Sequence, residues 1–120
     1  MDILKQSIEA VIKQGVRSVT DGLCMYKNYN LKCAVGVLIT DEHYSEEIEG
    51  RGLAFGNKVY KALNASVGYE LSEREITYLR HIQRAHDDSD GSDFVSEFKG
   101  RILSYINNEV LPEELRELVS

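Results

Sequence analysis

The 120-residue chain has no tryptophan, one proline, two cysteines and three histidines. A single proline and the absence of any low-complexity run exclude a disordered or proline-rich chain. Cys24 and Cys33 fall far short of the disulfide density of small secreted domains, so a reducing compartment is the expected setting. No apolar run approaches the ~20 residues of a membrane span, and MDILKQSIEA reads as an amphipathic helix rather than a secretory signal. The chain is therefore expected to stay in the cytoplasm where it is made, with no membrane partner.

Positive charge is also scarce. Fourteen Lys and Arg stand against 20 Asp and Glu, for a net charge of -6. Phosphate backbones are held by clustered cations, so this balance argues against a nucleic-acid partner. The acids concentrate between Asp41 and Gly50, a stretch without Lys or Arg. Such a stretch suits a solvated surface or a basic partner.

What is present is enough for one folded domain, expected to span 1-120. Hydrophobic residues make up 42% and charged residues 28%, ordinary globular usage, and folding at this length buries roughly two thirds of the unfolded surface. Leu4, Ile8, Val11 and Ile12 recur at helical spacing, which predicts a helix from Asp2 to Gln14 stopped by Gly15. Thr20, Asp21 and Gly22 read as a turn. The short runs LCMY and LKCA around KNYN read as a hairpin, with Lys27 to Asn30 as its loop and Cys24 facing Cys33.

CAVGVLI lacks polar alternation, so strand and helix both stay open, and a helix entered near Cys33 is the preferred reading. Thr40 and Ser45 are placed to cap short turns in an irregular acidic lobe. Asn57 to Asn64 predicts another helix, with Gly68 just beyond it. LSEREI carries a capping box, Ser72 with Glu75, and a hydrophobic staple, Leu71 with Ile76, which predicts a helix from Glu73 to about His86. Ser92 or Asp93 starts a helix bearing Phe94, Val95, Phe98, Ile102 and Ile106, and Pro112 opens a last one ending at Val119. The expected class is mainly α, with α+β as the alternative: a compact helical domain with a small N-terminal β-hairpin.

Several constellations invite chemistry. Cys24 and Cys33 with His81 and His86 offer zinc donor types, but the cysteine spacing misses known finger patterns. His81 and His86 also lie about 140° apart around a straight helix. Cys33, His86 and Asp87 can be cast as a cysteine hydrolase, although sequence neighbours such as His86 and Asp87 seldom orient one another and nothing marks an oxyanion hole. Asp88, Asp90, Gly91 and Glu97 match four positions of a calcium loop, while His86 and Asp93 fail two others. The plainer readings are reduced packed cysteines, a charged His86 at a helix C-terminus, and helix caps in the acidic loop. Tyr26, Tyr29 and Tyr44 flank the hairpin and the acidic lobe. Tyrosine buries a large area yet keeps a polar tip, so with Glu46 and Glu47 these rings form a candidate partner-binding face.

The run CMYKNYNLKCAVGVLITDEHYSEEIEG, followed by LRHIQRAHD, resembles small proteins encoded by tailed bacteriophages. The shared pattern is Cys24 and Tyr26; Lys32 to Gly36; Asp41, Glu42 and Tyr44; and Gln83, His86 and Asp87. This resemblance implies a phage gene product in the cytoplasm of a bacterial host, where small accessory proteins redirect host machinery or blunt host defence. It implies no mechanism. The resulting expectation is a non-enzymatic accessory protein that binds a host protein, with no catalytic residue and no cofactor. The alternatives are a small-ligand or zinc-binding domain built on Cys24, Cys33, His86 and Asp87, or a cysteine-dependent hydrolase. A homo-oligomer stays open, because an apolar face can be shared between copies.

Overall fold

The computed structural model describes residues 2–20 and 23–120. Helix α1 (Asp2–Gln14) buries Ile3, Leu4, Ser7, Ile8 and Val11 along one face. It stops at Gly15, whose left-handed backbone lets its amide close back on the Val11 carbonyl. Two short antiparallel hairpins follow. The first pairs β1 (Val19–Thr20) with β2 (Leu23–Cys24), setting Val19 opposite Cys24. The second pairs β3 (Lys27–Asn28) with β4 (Leu31–Lys32), setting Lys27 opposite Lys32 and Asn28 opposite Leu31.

The hairpin is thus real, but its expected register is not. Its loop is Tyr29 and Asn30 alone, because Tyr29 takes a left-handed φ of 56° and turns the chain within two residues. Cys24 does not face Cys33. It belongs to the first hairpin, which Met25 extends by donating its amide to the Ser18 carbonyl. Tyr26 and Lys27 instead give their amides to the carboxylate of Glu49, at 2.9 and 3.1 Å. Asp21 and Gly22 of the expected turn lie outside the described residues.

After β4 the chain makes a tight turn at Cys33 and one 3-10 turn, Gly36–Leu38, in place of the longer helix favoured from sequence. The cause is a close approach. A Cβ on Gly36 would lie 1.9 Å from the carbonyl oxygen of Tyr26, so this segment crosses directly over the Tyr26 backbone. In the acidic lobe Ser45 caps the 3-10 turn Glu46–Ile48 as expected, whereas Thr40 takes the His43 and Tyr44 amides on its carbonyl and its hydroxyl bonds the His43 ring.

The remaining helices follow their sequence signals closely. Asn57 caps α2 (Lys58–Val67), which runs three residues past the expected end to a left-handed Gly68. The Ser72–Glu75 capping box is formed at α3 (Glu73–Asp88), and Asp93 caps α4 (Phe94–Asn107). Pro112 is extended and precedes a 3-10 turn, Glu113–Leu115, so α5 (Arg116–Val119) is shorter than expected. Helix α1 packs on α3 and α5, and α3 on α4. The body measures 33 × 32 × 19 Å, so it is about two helix diameters thick. Leu4, Ile8, Leu63, Leu79, Phe98 and Ile102 fill its centre. The class is mainly α with small N-terminal hairpins. Among the described residues, no helix is long and apolar enough to cross a membrane.

The packing at Gly36 gives a direct test. Gly36→Ala forces a methyl against backbone that cannot rotate away, and is expected to cost about 3 kcal/mol or more in urea denaturation. Gly100→Ala, in α4 where a Cβ meets nothing, should instead stabilise by about 0.5–1 kcal/mol. Equal effects at the two sites would contradict the crossing.

Candidate functional site

Helix α3 turns Ile76, Leu79, Ile82 and Ala85 into the core. Its last two turns also present Gln83, His86 and Asp87 to the irregular N-terminal segment. His86 is fully buried and spends both ring nitrogens. Nε2 accepts the Ser18 amide at 3.1 Å, so the ring proton sits on Nδ1, which donates to Asp87 Oδ1 at 2.8 Å. Gln83 donates to the same oxygen at 2.7 Å and accepts the Val35 amide at 2.9 Å. Arg17 Nη1 donates to the Asp87 carbonyl at 2.9 Å, satisfying one of the open carbonyls at the helix end.

Cys24 joins this group from β2. One ligand atom each from Cys24, His86 and Asp87 lie within 4.8 Å of one another. Burial, then the charge and hydrogen bond of Asp87, push the Cys24 thiol up to about 11 against the opposing pull of Arg17. Cys33 is buried and accepts the Gly36 amide at 3.4 Å, and burial pushes it up to about 12. Cys24 and Cys33 both line one open cleft of about 410 Å³, together with Tyr26, Gln83 and Asp87. Residues as distant in the chain as Cys24 and Asp88 therefore meet at a single concavity. Its far wall is the loop from Gly50 to Leu53, and Arg80 and Arg84 stand on the α3 side.

This arrangement weighs against nucleophilic chemistry. Attack needs a thiolate, and both thiols are held protonated far above neutral pH. A base needs a free nitrogen lone pair, and His86 has given its own to Ser18. Contrary to the sequence reading, the neighbours His86 and Asp87 do orient one another, and His86 is a buried hydrogen-bonded ring rather than a charged one at the helix end. The same bonding opposes zinc. A metal on Nδ1 would move the ring proton to Nε2, where it would point at another N–H donor. His81 stands apart, donating to the Thr77 carbonyl and resting edge-on against Tyr105. In the acidic loop, Asp93 caps α4, Glu97 accepts the Gly91 amide and Asp88 pairs with Arg84.

The proposed partner-facing residues separate into two kinds. Tyr26 is buried with its hydroxyl donating to the Arg51 carbonyl, and Tyr44 donates to Glu49 at 2.7 Å beneath Lys27. Tyr26 is thus withdrawn from the surface, while Tyr44 stays partly exposed. Tyr29 is 91% exposed, and Glu46 and Glu47 are exposed, with Glu47 reaching Lys58 at 3.2 Å. The residues that sequence reasoning passed over are Glu49, Arg17 and Arg80. Glu49 reads as one more solvated acid in an acidic run, and nothing local signals its three buried-side partners. Comparison with protein-family models, with curated proteins and with solved structures gave no match.

Iodoacetamide labelling of Cys24 should have its pH midpoint near 11. A midpoint near the free-thiol value of about 8.5 would mean that neither burial nor Asp87 governs the sulfur. Because both thiols titrate higher folded than unfolded, the stability they contribute is complete below the unfolded value and falls as pH rises towards the folded one. The slope is at most about 1.4 kcal/mol per pH unit for the buried Cys33, and smaller for the solvent-screened Cys24. Urea midpoints measured from about pH 8 upward should drop accordingly, and less steeply in Cys33→Ala.

Proposed function

We propose that the chain is a non-enzymatic accessory protein of a tailed bacteriophage that binds a bacterial host protein in the host cytoplasm and modulates it, in host takeover or against host defence. The observation that carries the binding reading is Tyr29. A left-handed backbone costs a non-glycine residue about 1–2 kcal/mol, and here it holds a ring that is 91% exposed at the tip of a two-residue turn. Among the described residues, no packing offsets that cost. Strain of this kind, on a residue type enriched at binding hot spots, fits a ring held ready for a partner. Leu23, 69% exposed on the neighbouring hairpin, adds apolar surface, and Glu46 and Glu47 supply charge.

Two further features support the reading. The side chains that looked catalytic are occupied in holding the backbone and carry protonated thiols, which favours binding over turnover. The phage context rests on the likeness of Cys24, Tyr26, Cys33, Gln83, His86 and Asp87 to the phage pattern.

Affinity capture from phage-infected cells, with identification of the co-purifying protein, tests the reading. Tyr29→Gly should leave stability unchanged or raise it by up to about 1 kcal/mol while reducing capture about tenfold or more. Glu46→Lys with Glu47→Lys should slow association most strongly at low salt. Capture unaltered in both variants would refute the surface assignment, and loss of folding in Tyr29→Gly would make the ring structural.

A further inference from the structure

We infer that the cleft between α3 and the loop at Gly50 to Leu53 is a binding site for a small anionic ligand, one carrying a phosphate or carboxylate on an apolar body. The cleft gathers three guanidinium groups, Arg51, Arg80 and Arg84, in a chain of net charge -6. Arg80 and Arg84 also line an adjoining hollow with Thr77 and His81, so the positive wall continues along the exposed face of α3.

The cleft sets two acids beside its three arginines. Asp88 pairs with Arg84 at 3.6 Å, and Asp87 Oδ1 takes the His86 and Gln83 donors. Arg80 and Arg51 have no ion pair among the described residues. Arg51 uses only its Nε, on the Glu47 carbonyl, which leaves its terminal nitrogens free of that bond. Two arginines without carboxylate partners on one concave wall offer the donors that a carboxylate or phosphate takes.

Met25, Leu53 and Cys33 supply apolar lining beside these forks. The volume of about 410 Å³ falls within the usual range for small-ligand sites. The floor is pre-organised, because the Gln83–Asp87–His86 bonds fix it before any ligand arrives. An organic anion is therefore favoured over a bare ion: its charge meets Arg80 and Arg51, and its body covers the apolar lining.

The site can be tested on the purified chain, independently of any host protein. Phenyl phosphate, benzoate and inorganic phosphate would each be titrated while NMR follows the Gly50 and Gly52 amides and the Arg80 Nε–H, with sodium chloride at matched ionic strength as control. Saturable shifts at these groups are expected with phenyl phosphate or benzoate, and the comparison of the two shows whether the site prefers phosphate or carboxylate. Affinity should exceed that of inorganic phosphate about tenfold, from the buried ring. Arg80→Glu should weaken binding about tenfold or more, whereas Arg101→Glu, the same charge change at an exposed site on α4, should not. The proposal is overturned if no organic anion saturates, if both reversals weaken binding equally, or if only a glutamate-rich peptide binds.

Discussion

The irregular segment between α1 and α2 has more backbone amides than its two-residue strands can satisfy, and the rest of the structure depends on side chains that satisfy them. Leaving a buried amide unpaired costs about 1–3 kcal/mol, so every such group needs a named partner. Gln14 accepts the Lys32 amide and donates to its carbonyl. Glu49 takes the amides of Tyr26 and Lys27, Gln83 that of Val35, and His86 that of Ser18. Ser7 donates from α1 to the Ala34 carbonyl. The segment is thus pinned at separate points by α1, α3 and the acidic lobe rather than by a sheet.

This accounting changes the meaning of the side chains that looked reactive. A buried histidine beside an aspartate, with a thiol close by, has the composition of a catalytic or metal centre. Here the atoms that would react are taken by neighbours: Nε2 by a backbone amide, Nδ1–H by Asp87, and Asp87 Oδ1 also by Gln83. A network this fully satisfied fixes one arrangement of the chain. It also raises the thiols instead of activating them: burial is the main cause at both, and the charge of Asp87 adds to it beside Cys24. The composition is that of a reactive site, and the bonding is that of a structural one.

Sequence reasoning succeeded wherever local chemistry alone decides. The ends of α1, the capping box of α3 and the Asp93 cap of α4 follow from periodicity and from side chains that bond their own neighbours. It failed where a distant group decides. The hairpin register depends on Tyr29 accepting a left-handed backbone and on Glu49 drawing two amides out of the ladder, and neither leaves a mark in the residues around KNYN. The 3-10 turn at Gly36 depends on contact with Tyr26, ten positions earlier. At the site, the residue types were visible from the start. Which nitrogen His86 spends on Ser18 was not, and that bond separates a ligand from a structural ring.

Tyr29 and the Arg80 wall depart from the economy of the rest. Elsewhere buried polar groups are satisfied almost throughout, with the Ser18 hydroxyl as the exception among described residues. In a chain so consistently bonded, local choices that contradict the fold's own needs tend to mark function. A strained aromatic ring left in water contributes nothing evident to folding, and neither do guanidinium groups left without carboxylates in an acidic chain. The two features differ in kind: one is a projecting ring suited to a protein surface, the other a concave cationic wall suited to a small anion. Occupation of the cleft would act on the same helix that holds Ser18 and Val35 in place.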